Sequence, residues 1–294
     1  MKTLVLGVLA AAALAVPALA QGPAVAPFRS ERFSVEVRGS GPDVILVPGL
    51  ASSARVWDAT VDRLDDTHRV HVVQVAGFAG TPAGANAEGL VVAPLAEELN
   101  RYITERRLRR PAVIGHSMGG ETALMLAARH RQAVGRVMAV DALPFFSLLF
   151  GPQTTADSAR PAADGARTAM LAMTAEQYAA AQPAGLARLV KDPAARVRHA
   201  AASAASDRSV VARAMHDIMT TDLRPELARN TVPITVLYAY DAGTGAPAEV
   251  FDRLWTGAYA GLPNVRLQRI DGAYHFIMDD QPERFAEAVD AFLR

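Results

Sequence analysis

Short apolar runs that alternate with helical patterns constrain the fold of this chain more than any other feature. Each run is rich in β-branched residues and is bounded by glycine, proline or aspartate, which is typical of strands, and the fully apolar runs are typical of buried strands in a parallel sheet. The runs cover residues 43–49, 69–77, 111–115, 135–142, 233–241 and 265–272. Strands that alternate with helices are joined by right-handed crossovers. The pattern therefore predicts an α/β fold with a doubly wound, mostly parallel sheet.

Helical periodicity fills the intervals between these runs. Leu95, Leu99, Tyr102 and Ile103 recur at the spacing of one helix face, and a second helical pattern covers residues 122–130. Both segments are expected to pack one apolar face against the sheet.

Residues 144–230 break the alternation. They show no convincing strand pattern, are rich in alanine, and contain a helix start at Thr174 with Gln177 three residues later, as in a capping box. Apolar residues in this stretch, such as Met215, require burial. We expect a helical cap inserted between two parts of one core, residues 21–143 and 231–294. A packed helical layer without a functional role is the alternative.

The first 20 residues have the layout of a secretory signal peptide. Lys2 precedes an apolar stretch from Leu4 to Val16, and small residues occupy positions 18 and 20. The apolar stretch is shorter than the roughly 20 residues of a membrane-spanning helix. We therefore expect cleavage after Ala20, a periplasmic or secreted protein, and no stable membrane insertion after the signal is removed.

Composition excludes several classes of function. The 30 basic and 30 acidic residues balance, so the chain has no net field that would attract nucleic acid. It has no cysteine, which rules out thiol nucleophiles and thiolate metal sites. The 7 histidines show no spacing typical of metal ligands, so we expect neither a metal site nor a cofactor.

Ser117 lies between two glycines, in the sequence Gly115-His116-Ser117-Met118-Gly119. A predicted strand precedes this sequence and a helical pattern follows it, as in a nucleophile elbow, where glycines permit a very sharp turn. The N-terminus of the helix would stabilise negative charge beside the hydroxyl. The alternative is that Ser117 only caps the helix.

A serine hydroxyl needs a base, and the base needs an acid to orient it. His275 differs from the other histidines because it lies downstream at the end of the last predicted strand. Two aspartates, Asp141 and Asp241, each end a predicted strand. We prefer Asp241, which ends the penultimate strand, and keep Asp141 as the alternative acid. The histidines interpreted as surface or core residues are His68, His71, His130, His199 and His216.

The chain resembles the serine-nucleophile, esterase- and lipase-like branch of the α/β-hydrolase fold superfamily, with a helical cap. The stretches that carry the resemblance are LVPGLASSARVWD, VAGFAGTP, GHSMGG, DLRPELARNTVPITVLYAYD and DGAYHFIMDDQPERF. It implies a triad of Ser117, His275 and Asp241, and an oxyanion hole formed by the main-chain N–H groups of Leu50 and Met118.

The residues and the resemblance together predict an exported serine hydrolase that cleaves carboxylic esters through an acyl-enzyme. A peptidase of the aminopeptidase kind, a lactonase or a C–C bond hydrolase is the first alternative, and a non-catalytic small-molecule binding protein is the second. The expected partner is a small apolar ester or a related acyl substrate. Candidates for its pocket are the aromatic residues Trp57, Phe145, Phe146, Tyr274 and Phe276.

Overall fold

One seven-stranded sheet organises the computed structural model, which describes residues 28–294. The strands are β1 (Phe33–Arg38), β2 (Asp43–Val47), β3 (Arg69–Val75), β4 (Ala112–His116), β5 (Arg136–Val140), β6 (Ile234–Tyr240) and β7 (Val265–Asp271). Their order is β1-β3-β2-β4-β5-β6-β7, and all neighbouring pairs are parallel except β1 with β3. The predicted α/β fold with a mostly parallel sheet is confirmed. The predicted signal peptide, residues 1–20, lies outside the described residues.

Sequence reasoning missed β1, the antiparallel edge strand. Its apolar residues Phe33, Val35 and Val37 alternate with polar ones, which is the pattern of a strand with one solvated face. Only Phe33 is buried, while Val37 is 44% exposed. The segment therefore lacks the continuous apolar run of a central strand such as β2 or β5.

Helices cover both faces of the sheet. They are α1 (Asp58–Leu64), α2 (Val92–Glu105), α3 (Met118–Arg129), α4 (Ala156–Ala172), α5 (Ala175–Leu186), α6 (Pro193–Ala204), α7 (Arg208–Thr220), α8 (Arg224–Leu227), α9 (Ala248–Ala258), α10 (Ile277–Asp280) and α11 (Pro282–Leu293). No helix within residues 28–294 is both long enough and apolar enough to cross a membrane.

The core has two parts because successive residues of a strand point to opposite faces. In β2, Ile45 and Val47 belong to one buried cluster, which includes residues of α2 and α3. Val44 and Leu46 belong to the other, with residues of α1 and α11. Burial on both faces explains why the central strands appear in the sequence as continuous apolar runs.

The segment between β5 and β6 is helical throughout its regular structure, as predicted, and contains α4 to α8. Helix α4 packs against α7, and α5 packs against α6. The capping box at Thr174 and Gln177 is present at the start of α5. Val210 and Ile218 of α7 join the buried cluster that also contains α2 and α3, so this segment is anchored on the sheet domain.

The topology brings the candidate residues to one edge of the sheet. Strands β4, β5, β6 and β7 are consecutive neighbours and run parallel, so their carboxyl ends share that edge. Ser117 follows β4, Asp141 follows β5, Asp241 follows β6, and His275 lies shortly after β7. Carboxyl ends of strands are where open α/β sheets bind ligands.

Candidate active site

Ser117 occupies a strained corner between β4 and α3. Its φ is 54° and its ψ is −122°, a conformation that costs a non-glycine residue about 1–3 kcal/mol. A side chain at Gly115 would lie 2.0 Å from the Gly119 carbonyl oxygen, and one at Gly119 would lie 2.2 Å from the Val47 carbonyl oxygen. The Ser117 N–H donates to the carbonyl of Val140 over 2.9 Å. The predicted sharp turn between strand and helix is therefore present, and both glycines are sterically required.

Asp141 is the acid that contacts His275. The Asp141 Oδ2 atom lies 2.7 Å from His275 Nδ1, and Oδ1 accepts a hydrogen bond of 2.9 Å from the Ala239 N–H. A φ of 48° at Asp141 turns the chain as it leaves β5. The imidazole is thus held at Nδ1, and its Nε2 atom is on the opposite side of the ring from the carboxylate.

The prediction that Asp241 orients His275 is wrong. Asp241 does end β6, but its Oδ2 atom accepts a hydrogen bond from Lys191 Nζ, and its Oδ1 atom accepts one of 2.7 Å from the Gly243 N–H. The Lys191 hydrogen bond, followed by the Gly243 hydrogen bond, lowers the pKa of Asp241. The carboxylate is committed to these partners, and the alternative acid Asp141 occupies the place beside His275.

The loop that carries His275 is fastened to the linker between α5 and α6. The Phe276 N–H donates to the Leu189 carbonyl over 3.1 Å. Asp280 accepts hydrogen bonds from the Tyr274 N–H through Oδ2 and from the Lys191 N–H through Oδ1, each over 2.8 Å. The helical segment between β5 and β6 therefore braces the histidine loop directly.

His116 also contacts the loop that carries His275. It is fully buried, its Nε2 atom lies 3.0 Å from the His275 carbonyl oxygen, and the two rings are 4.5 Å apart. Because a carbonyl only accepts, His116 Nε2 carries the hydrogen. Burial, and secondly the nearby His275, lowers the pKa of His116, so the ring is neutral. Sequence analysis did not single out this residue, although it directly precedes Ser117.

Ser117 and His275 line one cavity of about 520 Å³, together with Asp141. Leu50 and Met118 also line it, and within residues 28–294 no hydrogen bond uses the main-chain N–H of either. A side chain at Gly49 would lie 3.1 Å from Ser117 Cβ, so this backbone passes very close to the serine. No direct hydrogen bond joins Ser117 Oγ to His275 in the described chain.

The predicted pocket residues divide into two groups. Phe146 and Phe276 line the cavity. Trp57, Phe145 and Tyr274 do not, contrary to expectation. Trp57 and Phe145 are fully buried in the core, where Trp57 stacks on Phe285, while the Tyr274 ring lies 5.7 Å from Lys191 Nζ. Aliphatic and sulfur-containing residues, missed as pocket candidates, supply much of the remaining wall: Leu143, Leu149, Met170, Leu186, Leu189, Val211, Met215 and Ile218.

Glu121 is the least expected residue of the cavity wall. It lies in the first turn of α3, is 3% exposed, and its Oε2 atom has no hydrogen-bond partner among residues 28–294. Burial, and secondly the negative charge of Asp217, raises the pKa of Glu121 well above its usual range. The signal in the sequence is a lone acidic residue in the otherwise apolar helix MGGETALMLAA.

Most of the other histidines have ordinary partners. His71 lies between Asp43 and Tyr102, His130 pairs with Glu97, and His216 pairs with Asp164. His199 pairs with Asp279 and also lines the cavity, which sequence analysis did not expect. No group of histidine, aspartate and glutamate residues that could hold a metal ion occurs in the part of the chain that the structure describes.

Comparison with known proteins agrees with this geometry. Residues 44–288 match the model of the alpha/beta hydrolase family. The chain belongs to that family. A pimeloyl-[acyl-carrier protein] methyl ester esterase from Vibrio cholerae is 27% identical over 73% of this chain and 81% of its own length.

Two further proteins are similar over different extents. A second pimeloyl-[acyl-carrier protein] methyl ester esterase, from Vibrio atlanticus, is 33% identical, but the match covers 40% of this chain and only 43% of that protein. The crystal structure of an enol-lactonase from Burkholderia xenovorans superposes with a TM-score of 0.71 at 21% identity, over 89% of this chain and 96% of the other. This last likeness supports the fold alone. The relatives of this family member thus include ester hydrolases.

Proposed function

We propose that this protein is a serine hydrolase that cleaves carboxylic esters, with Ser117 as nucleophile, His275 as general base and Asp141 as the acid that orients His275. The observation that carries the proposal is the hydrogen bond of 2.7 Å between His275 and Asp141, in the wall of the cavity that Ser117 also lines. A strained serine, a histidine and a partly buried carboxylate at one sheet edge are the parts that acyl transfer requires.

Each proposed step has a residue to perform it. His275 Nε2 takes the proton of Ser117 Oγ while Oγ forms a bond to the ester carbonyl carbon. The C–O bond to the alcohol then breaks, and the protonated His275 donates its proton to the leaving oxygen. His275 then takes a proton from water as the water oxygen bonds to the acyl carbon. The bond from that carbon to Ser117 Oγ breaks, the imidazolium returns the proton to Oγ, and the acid is released. Asp141 remains ionised and stabilises the imidazolium.

The developing oxyanion needs donors near Ser117. We assign this role to the N–H groups of Leu50 and Met118, since both residues line the cavity and neither N–H donates a hydrogen bond within the described residues. One donor of this kind is worth about 3–4 kcal/mol of transition-state stabilisation.

The wall of the cavity favours an apolar acyl chain. Phe146, Leu149, Met170 and Met215 line it with other apolar side chains, and no lysine or arginine of the described residues does. Burial of a chain in such a cavity contributes about 0.8 kcal/mol per CH₂ group. Esters of a medium-length acid should therefore be better substrates than acetate esters.

A panel of p-nitrophenyl esters of graded acyl length tests the proposal, with aminoacyl arylamides and lactones as competitors. We expect kcat/KM to rise with acyl length until the cavity is filled and then to fall. A fluorophosphonate probe should label the wild type and not Ser117→Ala.

Two outcomes would contradict the proposal. Labelling that survives in Ser117→Ala would place the nucleophile elsewhere. Preferential turnover of the arylamides, with a flat response from acetate to octanoate, would favour the peptidase.

We also propose export, which is supported only by the sequence of residues 1–20. N-terminal sequencing of protein recovered from a periplasmic extract should begin at Gln21. An intact Met1 chain in the membrane fraction would refute it.

A further inference from the structure

The polar atoms of the cavity wall include one that neither the proposed triad nor the oxyanion hole uses. Glu121 Oε2 is buried and has no partner in the part of the chain that the structure describes, in a wall otherwise formed largely by apolar side chains. A buried polar group without a partner costs about 1–3 kcal/mol of folding stability. Such a cost at the wall of a binding cavity is explained when a ligand supplies the missing hydrogen bond.

The position of Glu121 places it close to the reacting centre. Its N–H donates to the Ser117 carbonyl over 3.1 Å, and it follows Ser117 by four residues, which is about 6 Å along a helix axis. Helical side chains lean towards the N-terminus, so the carboxyl group is directed back towards the end of α3 that carries Ser117. A ligand atom that reaches Glu121 must therefore lie near the ester carbonyl.

The surroundings of the carboxyl group favour its neutral form. No lysine or arginine of residues 28–294 lines the cavity, and Asp217, itself buried, is near enough for its charge to disfavour a second negative charge. A neutral carboxyl group both donates and accepts a hydrogen bond. A hydroxyl group has the same two capacities, so the two groups are complementary.

We propose that Glu121 determines specificity by hydrogen-bonding a hydroxyl group on the acyl chain of the substrate, near the ester carbonyl. This inference rests on the proposed esterase function and deepens it, because it names hydroxyacyl esters as the substrate class. Leu143, Met215 and Ile218 would contact the rest of the chain. A site that must satisfy a buried polar group discriminates strongly against an analogue that lacks the matching group.

The test compares the turnover of methyl 3-hydroxyhexanoate with that of methyl hexanoate. Turnover is measured by titration of the released acid. For the wild type we expect kcat/KM for the hydroxy ester to exceed that for the plain ester by about tenfold or more. Glu121→Gln keeps a donor and an acceptor and should retain most of the preference. Glu121→Leu should lose it, so that kcat/KM becomes about equal for the two esters. Val197→Ala changes a residue of α6 that is 70% exposed and does not line the cavity, and should leave the ratio unchanged.

Binding gives a second measurement that does not depend on turnover. Calorimetry on Ser117→Ala should show tighter binding of the hydroxy ester, and the difference should disappear in Ser117→Ala combined with Glu121→Leu or with Glu121→Met. The methionine variant serves if the leucine variant does not fold.

The outcomes separate the two proposals. Absence of any ester turnover by the wild type would refute the esterase function. Turnover of both esters with equal kcat/KM in the wild type and in Glu121→Leu would refute only the role of Glu121. A preference for esters that carry an amine in place of the hydroxyl would also refute it, because the carboxyl group would then act as an anion.

Discussion

Strands β5 and β6 lie side by side in the sheet, and an aspartate follows each of them. Asp141 leaves β5 with a φ of 48°, and its carboxylate connects the Ala239 N–H to His275. Asp241 leaves β6 in an extended conformation, with a φ of −143°, and its carboxylate binds Lys191 and the nearby Gly243 N–H. Position at a strand end thus does not decide which acid meets the histidine, and the two aspartates differ in their backbone angle and in their partners.

The two carboxylates also differ in what they stabilise. The Asp141 side chain is 15% exposed and shares its environment with the base. The Asp241 side chain is 14% exposed, so the two carboxylates are equally buried, but its partner Lys191 is 41% exposed, and a pair with an exposed partner contributes about 0–1 kcal/mol. Asp241 fastens the linker between α5 and α6 to the sheet edge, because Lys191 Nζ also donates to the Gly272 carbonyl. Substitution of one aspartate or the other should therefore have very unequal effects on turnover and on stability.

The largest expected difference concerns turnover. Asp141→Asn should lower kcat on a p-nitrophenyl ester by up to about 10⁴-fold, because an amide cannot hold the required imidazole tautomer. Asp241→Asn should change kcat by less than about threefold, since it only weakens an exposed ion pair. Steady-state kinetics on both purified variants measures the contrast.

Circular dichroism and thermal unfolding provide the control for folding. The expected contrast would be contradicted if folded Asp241→Asn had a lower kcat than Asp141→Asn, because the acid of the triad would then lie at the end of β6 during turnover.

The sequence was sufficient for the features that depend on local geometry. The glycines around Ser117 and the strand before it predict the sharp turn, because a Cβ at Gly115 or Gly119 would collide with backbone atoms. The position of His275 follows from the last strand. The choice between Asp141 and Asp241 could not be made in this way, because a φ of 48° at a non-glycine residue has no signature in the sequence.

The cavity wall was harder to predict for a different reason. An aromatic residue beside a motif can point into the core or into the cavity, and Trp57 and Phe145 point into the core. Hydrophobicity does not distinguish these two apolar environments. Glu121 is the opposite case, since an acidic residue in the apolar helix α3 was a visible inconsistency, and residues that violate a local pattern are often functional.

A smaller difference is expected in stability. Asp141→Ala removes the acceptor of the Ala239 N–H and should lower the free energy of unfolding by about 1–3 kcal/mol. Asp241→Ala removes an exposed pair and the hydrogen bond to Gly243 in a short turn, and should cost about 1 kcal/mol or less. Urea unfolding at neutral pH measures both. An equal loss in the two variants would mean that the Ala239 N–H finds another acceptor.

The smallest expected effect is the pH dependence that Asp241 contributes. Its pKa is lowered from the usual 3.8, chiefly by the hydrogen bond from Lys191. A carboxyl group whose pKa is lower in the folded state contributes stability above the pKa of the unfolded chain, and loses it as the pH falls through the folded-state value.

The free energies of unfolding of the wild type and of Asp241→Asn should therefore differ by up to about 1 kcal/mol at neutral pH. The difference should vanish once the pH is below the lowered pKa of Asp241. Asparagine keeps an oxygen acceptor for the Gly243 N–H, so the change isolates the Lys191 pair. High salt at neutral pH should reduce the same difference, since the pair is partly exposed. If the difference between the wild type and Asp241→Asn persisted in acid, the stability at this strand end would come from the turn at residues 242–244 and not from the ion pair.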